Sequence, residues 1–492
     1  MGPRTVPVVL LLGLLGAFAP PANAADAADP GQRLAGLLEL ADFPPERLEQ
    51  LAASAELSPA QQAACVGLAI RLRRGVRLLE EAANSGAEPA AAVQLTGDIV
   101  AVEAIDPSGA APGGAGSRGY VCKIRLRPFE DSSLPEGAKP PAGQGNAVWA
   151  IVPSVPRPWL AADTEKGVSL TEPVRLTGVA AGRWVVAPRI GWYPDRPSAA
   201  ASFGVAQLGM LGYDAGLLDQ LVDRSAILAT EAEAFYQMLA AVNSIGPHQL
   251  SRVARRGLAE YAEGWRAEAA LPPSGPGSRP LLAREVLRQA SVGRYSIAPL
   301  FNDAVGQRGT LVVLEGVVRR VVRVQASLPG GGGPYTHGVD HYYELELFTG
   351  DSQNLPLVFC VRNLPEGFPT GDAVEQPARL AGFFLKRWAY RTRQAAGAAS
   401  GGAAGGVSLK DQRSLAPLLI GPAPIPLAPP AARSPWAEVA AGCVFIAIVI
   451  GVCWAVWRRG RADQAFEDDI RARLAAPSGG VDFAHLTDRA DT

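Results

Sequence analysis

The chain has 492 residues, 48% of them hydrophobic, with 46 Lys and Arg against 47 Asp and Glu. That length exceeds what one core organises, and a net charge of −1 excludes a global field able to gather a polyanion. The 54 Gly and 42 Pro fall short of a collagen-like or disordered composition and predict ordered modules with loose connections.

Residues 1–24 read as a signal peptide: Arg4, an apolar run Val6–Phe18, then Ala22-Asn-Ala24 as a cleavage site, with an uncleaved anchor as the alternative. Residues 31–85 read as helical. Ser58-Pro59-x-Gln61 is a capping-box start, and Ala64, Leu68, Leu72 and Val76 make one apolar stripe. Residues 93–193 form a first β unit. Leu95-Thr-Gly97 opens a strand, Cys122, Ile124 and Leu126 alternate with Lys123, Arg125 and Arg127, and Val148–Val152 is a short apolar strand.

Residues 202–290 return to helix, with Phe235, Leu239 and Val242 on one face. Residues 295–421 form a second β unit, in which Tyr343, Leu345 and Leu347 alternate with Glu344 and Glu346. Residues 422–435 are Pro/Ala-rich and predict a semi-rigid stalk of roughly 40 Å. Residues 439–457 carry no charge and as a helix would span roughly 28 Å, enough to cross a bilayer. Arg458, Arg459 and Arg461 follow directly, which places the tail, 458–492, in the cytoplasm and the N-terminal body outside it. In that tail Phe466, Ile470 and Leu474 sit four apart, an amphipathic helix suited to the bilayer surface or a partner.

The two β units share a pattern. Pro173, Arg175, Leu176, Gly178, Arg183 and Trp184 recur at one constant offset as Pro377, Arg379, Leu380, Gly382, Arg387 and Trp388, with Gly167 and Gly371 ahead of them. Five short strands with a longer connection after the third resemble an oligonucleotide/oligosaccharide-binding (OB) barrel; an SH3-like barrel is the alternative. The fold class expected is therefore α+β: two five-stranded OB-like β-barrels, helical segments before and between them, and one C-terminal transmembrane helix. Glycines inside the first and fourth strands, Gly97/Gly316 and Gly178/Gly382, suit the bends that closure requires. The layout also resembles uncharacterised exported, single-pass membrane proteins of planctomycete-type bacteria, through Gly382-Phe-Phe384-x-Lys386-x-Trp388 and Ala416-Pro417-Leu-Leu-Ile-Gly421. That resemblance implies an envelope location and no particular activity.

OB barrels bind ligands across strands two and three, which makes Lys123, Arg125 and Arg127, with Trp184 and Trp388, the candidate binding residues. The equivalent strand of the second unit carries Glu344 and Glu346 instead. This inversion argues for cross-strand ion pairing within each unit and against a nucleic-acid partner. His337, Asp340 and His341 are the one metal-like cluster; a solvated turn is the competing account, since they follow the flexible Gly330–Gly333 run. Cys122 and Cys360 fall on strands that do not correspond, and read as core thiols, with a disulfide as the alternative. No catalytic residue and no cofactor is assigned. The expectation is a non-enzymatic, membrane-tethered interaction or scaffold protein with an envelope protein or glycan as partner. The alternative is a metal-dependent hydrolase built on the His337 cluster.

Overall fold

The computed structural model describes residues 29–85, 92–105, 118–127, 147–160, 170–326, 337–391, 413–428 and 435–475. The expected signal peptide, Gly167, and the Gly/Ala/Ser-rich stretch 395–406 lie outside these residues. The chain divides into a body, Met1–Leu427, and a second unit, Ala428–Thr492.

Four helices open the body: α1 (Pro30–Leu40), α2 (Pro45–Ala53), α3 (Pro59–Leu72) and α4 (Val76–Ser85). The capping box before α3 forms, with the Gln61 amide nitrogen of the backbone donating to Ser58 Oγ and the Ser58 N–H to Gln61 Oε1. Six strands follow, β1 (Ala92–Ile105), β2 (Gly119–Leu126), β3 (Ala147–Val152), β4 (Glu172–Ala181), β5 (Trp184–Val186) and β6 (Gly191–Trp192). Next come α5 (Phe203–Met210), α6 (Ala232–Val242), α7 (Pro247–Glu263), α8 (Arg266–Ala269), α9 (Arg279–Ser291) and α10 (Ala298–Asn302). A second set of strands closes the body: β7 (Leu311–Gln325), β8 (His341–Phe348), β9 (Leu357–Val361), β10 (Gln376–Arg391), β11 (Arg413–Gly421) and β12 (Ile425–Pro426).

The two sheets have one pairing scheme. In the first, β1 pairs with β2, β2 with β3, β3 with β5, β5 with β4, and β4 again with β1, so the order is cyclic; β6 adds to β4. The second repeats this as β7, β8, β9, β11, β10 and back to β7, with β12 added to β10. The one parallel pairing in each cycle falls at the same place, β3 with β5 and β9 with β11.

Agreement extends to single residues. Gly97 lies opposite Val174, and Gly316 lies opposite Ala378. Both first strands bulge at the equivalent point, the register breaking between Ile99 and Ala101 and again between Val318 and Arg320. A Cβ on Gly97 would sit 2.5 Å from the carbonyl oxygen of Arg125, and one on Gly316 would sit 2.2 Å from that of Phe348. Glycine there lets the second strand approach closely enough to complete the cycle.

Burial shows how sheets and helices combine. One face of the first sheet (Val121, Ile151, Val179, Trp184, Val186) packs against Leu34, Leu68 and Leu72 of the N-terminal helices. Its other face (Leu95, Ile99, Cys122, Ile124, Leu176) belongs to a core that includes Phe235 and Leu239 of α6 and continues to Val358, Cys360, Phe383 and Ile420 of the second sheet. The second sheet's remaining face (Leu314, Val318, Leu345, Phe359, Leu380) closes on Tyr295, Ile297 and Leu300. A helix pair precedes each sheet and covers equivalent strands: α3 and α4 pack on β1, β3, β4 and β5, and α6 and α7 on β7, β10 and β11.

Two sequence expectations need correction. The tryptophans do not correspond: Trp184 opens β5, opposite Ala181, whereas Trp388 lies inside β10, opposite Ala416. The first copy turns at Gly182 (φ +59), while β10 runs on to Arg391 before its hairpin. The stretch answering Val186 is accordingly Ile420, since Val179 pairs with Val186 and Phe383 with Ile420. Finally, the stalk does not begin at Pro422. Ile425 is buried, β12 pairs with β10, and Leu427 N donates to Pro377 O.

Among the described residues the second unit has one helix, α11 (Pro435–Ala475), of which Gly442–Arg459 is long and apolar enough to cross a membrane. Arg458 stacks over Trp454, and Arg461 lies 3.9 Å over the Trp457 ring. Phe466 and Ile470 belong to this same continuous helix, not to a separate amphipathic one.

Candidate functional site

The basic strand is dispersed by its own side-chain contacts. Arg127 donates from Nε to both carboxylate oxygens of Asp98 at 3.0 Å and reaches Asp195. Lys123 sits 5.4 Å over the Trp149 ring, and Arg125 is exposed. In the second copy Arg320 donates to Glu346 and Asp372, each at 3.0 Å. The inversion of charge between the copies thus accompanies cross-strand pairing within each one.

Trp184 and Trp388 have different surroundings. Trp184 is buried against Trp149 with centroids 6.1 Å apart, and its Nε1 donates to Ser54 O. Trp388 is half-buried beside Tyr390, on the strand that meets Ser225. Their arginine neighbours diverge as well. Arg183 stacks over Trp149 and Trp184, whereas Arg387 grips the Asp223 carboxylate and donates to Phe301 O.

Asp340 lies 2.9 Å from His341 Nδ1, and that contact holds its carboxyl below the usual range. His337 is exposed in a turn at φ +48. Among the described residues no group of three His, Cys, Asp or Glu side chains converges closely enough to hold a metal ion. The trio is a turn with one internal pair.

Two buried polar centres carry no signature in the local sequence pattern. Lys386 Nζ donates to Glu231 Oε2 at 2.6 Å, Ser225 Oγ at 2.9 Å and Ala226 O at 3.0 Å. Glu231 in turn accepts from the backbone N–H groups of Val222 and Leu228. All three ammonium donors are used, so the pair fastens the 222–231 loop to β10 and leaves no free base or acid. The second centre is Asp214, buried beneath β6 and accepting from Trp192 N (2.8 Å) and Gly216 N (3.0 Å). Burial pushes its carboxyl up to about 6 against the pull of Arg189.

An open groove of about 850 Å³ lies beside β7, lined by Arg255, Arg294, Val313, Glu315, Gly350 and Asp351 among others. Its floor is the opening segment of β7, where Leu311–Gly316 pairs only with β10; β8 joins at Val317, opposite Phe348. Beyond Phe348 the chain turns away, with Ser352 N donating to Thr349 O. Arg255 of α7 reaches Glu315 at 3.1 Å, and Arg379 reaches it at 2.7 Å. Asp351 accepts from Thr349 Oγ1 at 2.7 Å. A cavity of this size with a few convergent polar groups falls within the range of ligand pockets.

No family model matches this chain, and neither the curated proteins nor the solved structures hold a match.

Proposed function

We propose that the protein is a non-enzymatic, membrane-tethered scaffold of the cell envelope, whose body of two OB-like barrels presents binding surfaces outside the cytoplasm. The observation that carries this reading is the apolar segment Gly442–Arg459, the one such helix among the described residues, in a chain whose body is built from one duplicated unit. Cyclic strand order, matched bulges and matched close-approach glycines support the barrel assignment. The arginines after the span favour a cytoplasmic C-terminus, and the tryptophans within its last turns suit a membrane interface. Likeness to exported single-pass proteins of planctomycete-type bacteria agrees with that placement.

Duplication accounts for the architecture better than catalysis does. Two little-exposed ion pairs of the body, Lys386 with Glu231 and Arg387 with Asp223, are internal bonds between loop and strand. In-membrane cross-linking of the full chain, followed by identification of attached proteins, tests the reading. A reproducible envelope companion supports it; no companion, together with no retention on surface glycan, contradicts it.

A further inference from the structure

We infer that the groove beside β7 binds an extended peptide, laid along the open edge of that strand as an added strand, with a carboxylate of the peptide on Arg294. This deepens the binding role proposed above and rests on it for biological meaning, but it is tested separately from the membrane tether.

The two copies supply an internal comparison. In the first, β2 ends at Leu126 opposite Gly97, yet the ladder continues: Arg127 N donates to Thr96 O at 3.4 Å. The Arg127 side chain then folds back onto Asp98 and Asp195. In the register of the second copy, Thr96 corresponds to Glu315 and Arg127 to Gly350. No backbone bond joins Gly350 to Glu315, and both residues line the groove. At this step the edge is bonded in one copy and unbonded in the other. Open strand edges with space beside them take up extended peptides through main-chain hydrogen bonds.

Charge selects the peptide. Glu315 is paired with Arg255 and Arg379, whereas Asp351 accepts only from the neutral Thr349 hydroxyl. Arg294 is exposed, and no described carboxylate pairs with it. It is the lining cation without a carboxylate partner, and a guanidinium so placed favours a carboxylate held by two parallel bonds. A basic peptide would set like charges beside Arg255 and Arg294.

The test uses the full chain in detergent and fluorescence anisotropy of a dye-labelled hexapeptide of alternating valine and aspartate. Two further versions are methylated on alternate backbone nitrogens, one set each, so strand addition is probed without altering the protein. Saturable binding is expected. It should weaken by about tenfold or more with one methylated set but not the other, and by a similar factor in Arg294→Ala. A valine–lysine hexapeptide should not compete. Equal binding of all three aspartate peptides, unchanged binding by Arg294→Ala, or no saturation at about 1 mM would overturn the inference. Retention of the same chain in membranes is scored independently, so failure of the groove and failure of the tether are told apart.

Discussion

Lys386 and Glu231 form an ion pair sealed from solvent, with Nζ 2.6 Å from Oε2 and side-chain exposures of 0% and 1%. Their positions lie far apart in sequence, and the bond ties the segment between the two copies to the fourth strand of the second. Removing one member strands the other charge. Lys386→Met should therefore lower stability by about 3–5 kcal/mol. The double variant Lys386→Met with Glu231→Gln removes both charges, keeps one acceptor oxygen for Val222 or Leu228, and should lose less. Urea unfolding of both variants measures the difference; equal losses would show that the pair contributes nothing specific.

Asp214 gives the body a pH dependence of definite sign. Burial raises its carboxyl from 3.8 to about 6 in the folded protein. A group raised by folding contributes stability that is present in full below pH 4 and is lost as pH climbs through 6. A shift of this size corresponds to about 3 kcal/mol. Asp214→Asn retains an acceptor for Trp192 and Gly216 while abolishing the titration. Its stability relative to the parent should rise between pH 4 and 6 and level off above. A flat difference across that interval would show that Asp214 does not titrate there.

Close approach at the paired glycines predicts matched losses in both copies. Gly97→Ala and Gly316→Ala would each press a methyl against a backbone carbonyl. Each should cost about 1–3 kcal/mol or more, since neither oxygen can move without breaking the ladder. Gly350→Ala meets nothing within 4 Å and serves as a control expected within about 0.5 kcal/mol. Chemical denaturation of the three variants decides this, and a neutral Gly316→Ala would remove the case for glycine-dependent closure.

What could be read from the chain alone followed from local pattern. Helical periodicity and the Ser58 capping box marked the first helices, and alternation marked β2 and β8. The repeat was legible through Pro173-Val-Arg175-Leu176-Thr-Gly178 because its residues face the same strand in both copies. Arg183-Trp184 and Arg387-Trp388 misled for a physical reason. Gly182 turns the first hairpin tightly just before Arg183, so identical residues at identical spacing end on different strands. The apparent stalk concealed Ile425, an apolar residue that a solvated Pro/Ala run has no reason to carry. The groove beside β7 and the Lys386–Glu231 pair each join residues distant in sequence, so no local signal announces them.

Three thiols should behave as core residues. Cys65, Cys122 and Cys360 are buried and unpaired, and burial pushes Cys65 and Cys122 up to about 12. In the folded protein at neutral pH they should resist a water-soluble maleimide and react only after unfolding. Cys443 and Cys453 lie on the exposed surface of the apolar helix. Mass analysis before and after denaturation counts the labels, and rapid labelling of Cys122 in the native state would contradict the packing described.

Alkaline carbonate washing of membranes from cells producing the full chain tests the tether most directly, with Val449→Arg alongside it. The protein should remain in the pellet, and the arginine at mid-span, costing about 2.5–3.5 kcal/mol, should release a measurable fraction. Complete recovery of the unaltered chain in the supernatant would contradict a membrane-anchored body.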